Sequence, residues 1–249
     1  MKTITINKHK VTYCDAISEL PVTRFHVYNK MMLIDAGIGC DLVDLDTHFE
    51  RVNAFLASGK IEEAQREISN IRQNVNFIQE SLSPRHLAFC ALVKEIDGEE
   101  TDISEDGLKR TMDKLKDGVV GDIETNLEES KKKIESELRV YFPNLFGDSA
   151  EKELFDLILK RTKRILKGVI DRETPKLDDL NIEILTYTKP RIFEGEKSDE
   201  LSADRQFEKI CLTLTEFLHC EPKKFSVLEF YSAFDYLKDK QKRKKHTFV

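Results

Sequence analysis

Apolar and polar positions follow the period of an α-helix along most of the chain. The clearest stretch runs from Ile61 to Leu82, where apolar residues recur at alternating spacings of three and four and form one narrow stripe. A stripe of this kind packs on another helix. Eight further stretches between Pro21 and Lys240 carry helical periodicity or helix start and stop signals. The pattern therefore predicts a mainly α fold built as a multi-helix bundle.

Two of the long helices have a clearly predicted inward face. The helix from about Val119 to Tyr141 is expected to bury four apolar residues, and the helix from Ser149 to Gly168 is expected to bury five. These residues are Ile123, Leu127, Ile134 and Leu138 in the first helix, and Leu154, Phe155, Ile158, Ile165 and Leu166 in the second.

The N-terminal segment has a different period. From Thr3 to Cys14, β-branched residues alternate with polar ones on either side of the Asn7-to-Lys10 turn, which predicts a small β-hairpin. An isolated hairpin is marginal in water. We therefore expect this one to lie against the helices or to extend a sheet of another copy or another protein, with Ile4 and Ile6 as candidate partner-binding residues.

The stretch from Asp171 to about Leu201 interrupts the helical pattern. Pro175 and Pro190 flank a run from Ile182 to Thr188 that favours β structure, and a polar, glycine-containing segment follows. We predict a long extended arm or loop here, of the kind that usually has a function or is disordered. Its candidate partner-binding residues are Ile182, Ile184 and Tyr187.

These patterns divide the chain into five consecutive segments. The predicted segments are a β-hairpin at 1–18, a helical body at 19–170, an extended arm at 171–201, a C-terminal helical pair at 202–240 and a basic tail at 241–249.

Composition and charge narrow the function. Of the 249 residues, 40% are apolar and 35% are charged, and the net charge of −6 gives no general attraction to nucleic acid phosphates. Positive charge is concentrated near the C-terminus, where it is expected to be solvated, to contact an acidic partner or to contact nucleic acid. The candidate residues are Lys238, Lys240, Lys242, Arg243, Lys244 and Lys245.

Cysteine spacing and hydropathy point to a cytosolic origin. The five cysteines are scattered and never form a Cys-x-x-Cys pair, so we expect free thiols in a reducing compartment. The N-terminus lacks the apolar run of a secretory signal, and no stretch of about 18 apolar residues is present. We expect synthesis in the cytosol and no membrane contact.

The densest set of groups that could bind a metal is Asp41, Asp44, Asp46, His48 and Glu50. Its spacing lacks the glycine of a calcium loop, so helix capping and solvation are favoured over a metal site. The segment Gly37 to Gly39 lacks the remaining residues of a phosphate-binding loop and is interpreted as the end of a helix. We therefore predict no enzyme, cofactor or metal, and a protein that acts by holding partners together.

Several short sequence segments resemble those of virion proteins of tailed bacteriophages, particularly the crAss-like phages of gut Bacteroidetes. The segments are Glu19 to Phe25 followed by Asn29-Lys30, Asp35 to Asp41 leading to His48, Lys131 to Lys133 before Tyr141-Phe142-Pro143, and Pro222 before Leu228 to Tyr231.

The resemblance implies a structural component of the portal, neck or tail of the virion, which forms a closed homo-oligomeric ring and contacts other portal and tail proteins. Two alternatives remain open from the sequence. One is a cytoplasmic tail-assembly chaperone or adaptor, and the other is a helical protein that associates with nucleic acid through the basic tail.

Overall fold

The computed structural model describes residues 1–116, 120–146 and 152–246, with the backbone alone described at 120, 121, 152 and 241–246. It confirms a mainly α fold with a small antiparallel sheet at the N-terminus. The strands are β1 (Lys2–Ile6), β2 (His9–Tyr13), β3 (Val93–Ile96) and β4 (Glu99–Glu100). The helices are α1 (Val22–Ile38), α2 (Leu42–Ala57), α3 (Ile61–Glu80), α4 (Pro84–Leu92), α5 (Glu105–Leu115), α6 (Val120–Tyr141), α7 (Pro143–Phe146), α8 (Lys152–Asp171), α9 (Asp178–Tyr187), α10 (Asp199–Leu218) and α11 (Val227–His246).

The predicted N-terminal β-hairpin is confirmed. Asn7 and Lys8 both have positive φ angles, 46° and 67°, which is the backbone of the two-residue turn that matches the twist of paired strands. The sheet continues within the same chain, because β3 pairs with β2 and then with β4. Ile6 lies in the hydrophobic core and the half-buried Ile4 packs against that core, so both residues help to pack the sheet. Partner binding by Ile4 and Ile6 stays a prediction.

The chain forms two compact units, each assembled from separate stretches. Unit 1 comprises Met1–Ala36, Leu82–Gly147 and Glu200–Val249, and unit 2 comprises Gly37–Ser81 and Asp148–Asp199. The structure thus divides the chain differently from the five consecutive segments expected from the sequence.

Unit 1 is built around the sheet. Its main core joins the sheet to α1, α4, α5 and α6, and all four predicted inward residues of α6 are buried in it. At the start of α11, the Val227 backbone N–H donates to the carbonyl of Leu20 at 2.9 Å. Burial of the α6 residues confirms the face that the sequence predicted for this helix.

Unit 2 contains a helical hairpin, formed by α2 and α3 with a short turn at Ser58 to Lys60, and the helices α8 and α9. Asp41 caps α2 by accepting from the Asp44 backbone N–H at 2.8 Å. Gly39, which follows the end of α1, has a φ of +67° and confirms the predicted helix C-terminus. Val52, Phe55 and Ala64 form the apolar part of the core of the hairpin.

The predicted extended arm contains a helix. α9 occupies Asp178–Tyr187, so the β interpretation of residues 182–188 was wrong. Asp178 and Asp179 lie in the first turn, where carboxylates stabilise a helix, and Leu180 is buried. Tertiary packing on α2 and α8 outweighs the modest preference of β-branched residues for strands.

Two predicted inward faces were also wrong in part. Phe155, Ile158 and Leu166 of α8 are exposed, and α3 buries Glu67 while its Ile68 is exposed. Near the C-terminus, the helix continues through His246, so residues 241–246 of the predicted basic tail are helical in backbone.

Candidate partner-binding surface of the second unit

The most exposed apolar surface of unit 2 lies on α8. We call it the α8 stripe. Phe155, Val169 and Ile170 are 63%, 71% and 78% exposed, values that leave most of each side chain in contact with water. The full stripe consists of Phe155, Ile158, Leu159, Leu166, Val169 and Ile170.

The α8 stripe has the spacing of a helix–helix contact. Positions 155, 159, 162, 166 and 169 follow at intervals of four, three, four and three, with Thr162 as the polar member. At about 3.6 residues per turn these positions lie along one side of the helix. The side opposite carries Leu157 and Gly168, which are both buried. One side of α8 therefore packs within unit 2 and the other remains exposed.

Polar bonds fix the orientation of α8. The Arg161 Nε donates to the Asn181 side chain at 2.7 Å, and Arg164 forms two hydrogen bonds, 2.7 and 2.9 Å long, to the carboxylate of Asp179. The hydrogen bond from Arg164 lowers the pKa of Asp179. These contacts with α9 lie on the side of α8 that faces the unit, so the stripe is held outward.

A close approach of the backbone supports the same orientation. A Cβ on Gly168 would lie 2.7 Å from the carbonyl oxygen of Glu173 and 2.8 Å from the Pro175 Cδ, closer than side chains are found. The Glu173 N–H donates to the Gly168 carbonyl at 2.9 Å. Glycine at this position lets the chain turn back against α8.

Basic side chains flank the α8 stripe along one border. Lys160, Lys163 and Lys167 are exposed, and none of the three forms an ion pair with another residue that the structure describes. From Lys160 to Lys167 the sequence has five basic residues and no acidic one. The border can therefore attract a partner with carboxylates beside its own apolar surface.

A second exposed apolar surface lies on the helical hairpin. Leu42 and Phe49 are 68% and 51% exposed, and they share one side of α2 with Leu56 because the three recur at intervals of seven. On α3, Ile61 and Ile68 are exposed at the same interval. We call these five residues the hairpin face.

Polar contacts tie α3 to its neighbours within unit 2. Asn74 donates to the Ile38 carbonyl at 2.9 Å, and Asn70 donates to the Arg191 carbonyl at 3.3 Å. The Arg51 Nε lies 2.9 Å from a carboxylate oxygen of Glu67. Together these groups occupy places where the sequence pattern predicted apolar contacts.

The predicted arm residues lie beside these surfaces. Ile182 and Ile184 are half-buried and line a cleft of about 740 Å³ between α2 and α9, which also includes Glu50 and Asn53. Tyr187 donates its hydroxyl to the Glu153 carboxylate at 3.3 Å. Partner binding by these residues stays a prediction. Ile182 and Ile184 are half-buried on the side of α9 that lines the cleft.

The predicted basic residues lie near the end of α11. Lys238 is half-buried and Lys240 is exposed, with its Nζ 5.9 Å from the centre of the Tyr236 ring. Their role in partner binding stays a prediction. The side chains of Lys242, Arg243, Lys244 and Lys245 lie outside the described part of the structure.

The acidic cluster before α2 is used for helix capping. Asp41 is the N-cap, and the Asp44 carboxylate accepts from the Cys40 backbone N–H at 3.0 Å. His48 turns away into the helical hairpin. Among the described residues no group of three or more His, Cys, Asp and Glu side chains is placed to hold a metal.

Sequence reasoning missed the exposure of the α8 stripe, although one signal was present. Leu154 and Leu157 lie on one side of α8, while Leu159 and Leu166 lie near the other. A surface helix needs one apolar side only. An apolar second side is the sequence signal for a contact beyond the unit.

Comparison of the chain with protein-family models, with curated proteins and with solved structures gives no significant match. Within the described residues, no helix is both long and apolar enough to cross a bilayer.

Proposed function

We propose that the protein is a structural subunit that associates with copies of itself through unit 2 and acts by contact, not by chemistry. The observation that carries the proposal is the α8 stripe, with six apolar side chains exposed along one side of a single helix. Contiguous exposed apolar surface is costly in water and marks interaction sites.

The polar setting of the stripe favours a protein partner. Lysines border it, while Arg161 and Arg164 are engaged with α9, so a partner meets an apolar centre with a charged rim. That arrangement is typical of protein–protein interfaces. In a closed ring of identical subunits, every copy buries this surface against a neighbour.

The sequence resemblance to virion proteins of crAss-like phages supports a particular setting for the ring. In this proposal the ring belongs to the neck or tail of a tailed phage and contacts other portal or tail proteins. The subunit is made in the cytoplasm of the host and becomes part of the virion.

Native mass spectrometry and negative-stain imaging of the purified full-length chain test the self-association. We expect a homo-oligomer of defined size at micromolar concentration, with ring-shaped particles. A monodisperse monomer under these conditions would contradict the proposal.

Proteomics of purified phage particles tests the setting. We expect peptides of this chain in mature virions at a stoichiometry of several copies per particle. Its presence in infected cells together with its absence from virions would instead identify an assembly chaperone or adaptor.

A further inference from the structure

Resting on the proposed self-association, we infer that the α8 stripe of one copy docks on the hairpin face of the next copy. The contact joins two different surfaces, so it runs head to tail. It names the partner of the α8 stripe, which the proposed function leaves open.

The hairpin face is one continuous surface because of how its two helices pair. Phe55 of α2 packs with Ala64 of α3 across the turn, so the helices run antiparallel. On each helix, the rotation from the residue that contacts the other helix can be counted along the chain. In an antiparallel pair, residues at the same rotation on the two helices point to the same face of the pair. Phe49 and Ile68 each follow a buried contact residue, His48 and Glu67, by one position. They therefore face the same way.

The two surfaces match in form. A helix of 20 residues such as α8 is about 30 Å long, and one of 16 residues such as α2 is about 24 Å long. The groove between two antiparallel helices accepts the ridge of a third helix. The α8 stripe supplies that ridge, with Leu159 and Leu166 on either side of its middle.

Their charges are complementary. The segment from Asp41 to Glu80 has eight carboxylates and four Lys or Arg residues, while Lys160 to Lys167 has only basic charge. Asp46 and Glu50 are exposed beside Phe49, and Lys163 and Lys167 are exposed beside the α8 stripe. Docking brings opposite charges together along the border of the contact.

Pairing of α8 with α8 from another copy is less favourable. In an antiparallel pair centred on Thr162, Lys163 lies one residue past the centre on each copy, so the two Lys163 side chains would meet on the same border of the pair. Like charges in that position repel each other. The hairpin face offers the same apolar contact and places the exposed carboxylates of Asp46 and Glu50 beside it, where a second α8 would place a lysine.

Each copy presents one α8 stripe and one hairpin face, so a head-to-tail contact repeats from copy to copy. Such a contact gives an open filament when its rotation does not close and a ring when it does, and the ring is the finite assembly of the proposal. Every subunit then has both surfaces covered.

Two single substitutions test the inference, each in a surface residue that folding does not require to be apolar. Leu166→Asp disables the α8 stripe, and Phe49→Asp disables the hairpin face. Leu212→Asp on α10 is the matched control, because Leu212 is 69% exposed. We expect each of the first two variants to be monomeric and the control to assemble like the wild type.

Mixing the two monomeric variants gives the decisive measurement. The Phe49→Asp chain keeps an intact α8 stripe, and the Leu166→Asp chain keeps an intact hairpin face. We expect a 1:1 dimer in native mass spectrometry and no larger species, since each copy can make one contact only. A homodimer of the Phe49→Asp chain alone would show α8-to-α8 pairing and would overturn the inference.

Charge exchange provides a second test. Lys163→Glu with Lys167→Glu in one chain is expected to weaken association by at least about tenfold, and adding Asp46→Lys with Glu50→Lys to the same chain is expected to restore it. A wild-type oligomer that all these variants leave intact would overturn the inference and leave the proposed function standing. A monomeric wild type would overturn both.

Discussion

His48 donates its Nδ1 proton to the carboxylate of Glu67 across 2.9 Å, and both side chains are buried within the helical hairpin. The other ring nitrogen, Nε2, lies 2.7 Å from the carbonyl oxygen of Ile38. A carboxylate and a carbonyl can only accept, so both hydrogen bonds form together only when both ring nitrogens carry a proton. In that imidazolium form, His48 makes a buried ion pair with Glu67 in the core of the helical hairpin that presents the hairpin face.

The stability of the protein is expected to depend on pH through His48. Burial opposes the charge, but the hydrogen bonds to Glu67 and to the Ile38 carbonyl outweigh it and the repulsion of Arg51, so the pKa of His48 is raised. Its stabilising contribution is complete below the pKa of unfolded histidine, about 6.5, and is lost as pH rises through the raised folded pKa. Urea unfolding of the wild type and of His48→Gln from pH 6 upward measures it. The difference in free energy of unfolding should shrink as pH rises, and a constant difference would contradict the assignment.

Replacing the buried Glu67 should be far more damaging than replacing an exposed glutamate of the same helix. Glu67→Gln leaves the imidazolium and the Arg51 guanidinium without their shared counter-charge, which we expect to cost about 3 kcal/mol in the free energy of unfolding. Glu62→Gln on the same helix is the control, because the exposed Glu62–Arg66 pair should contribute less than about 0.5 kcal/mol. Chemical denaturation of both variants at one pH gives the comparison, and equal losses would disprove a buried pair at Glu67.

Arg24 in unit 1 should not be replaceable by lysine. Its guanidinium is buried and donates to the carbonyls of Val93 at 2.7 Å and Thr101 at 2.5 Å, with the Ala91 carbonyl at 3.4 Å. An ammonium cannot reach these acceptors from one point. We expect Arg24→Lys to lower the free energy of unfolding by about 2 kcal/mol, measured by urea denaturation. Arg110→Lys, at an exposed arginine, should change it by less than about 0.5 kcal/mol.

A proline at position 184 tests whether α9 is a helix in solution. Ile184→Pro is expected to cost about 3 kcal/mol and to reduce the helical circular dichroism signal, because the ring removes a backbone donor and clashes with the preceding turn. Ile184→Ala keeps the helix and loses only part of the packing, so it should cost about 1 kcal/mol. Similar results for the two variants would favour the extended arm that the sequence predicted.

The sequence predicted elements well where one side of a helix is apolar and the rest is charged. On α6, Ile123, Leu127, Ile134 and Leu138 lie on one side of the helix between charged residues, and all four are buried. On α8 the apolar residues occupy two sides, and periodicity cannot tell which side a neighbour covers. The interpretation placed Phe155 and Leu166 inward for that reason.

The pattern of apolar and polar positions could not predict which polar residues are buried in the core. Glu67, Asn70 and Asn74 are buried and form hydrogen bonds with partners distant in sequence, namely His48, Arg191 and Ile38. Hydropathy assigns such residues to the surface, since the cost of burying them is removed only by contacts that the fold creates. In α9, the same tertiary contacts outweighed the preference of isoleucine for strands.

Because unit 1 is assembled from three separate stretches, its core cannot be completed until the last of them has been synthesised. The Leu20 carbonyl receives its hydrogen bond from Val227, and Val227 belongs to the same core as Phe25 and Phe89. A ribosome working at about 5 to 20 residues per second needs roughly 10 to 40 s to synthesise the chain from Leu20 to Val227. For that time the first helices expose apolar surface, so aggregation during synthesis competes with folding until α11 emerges.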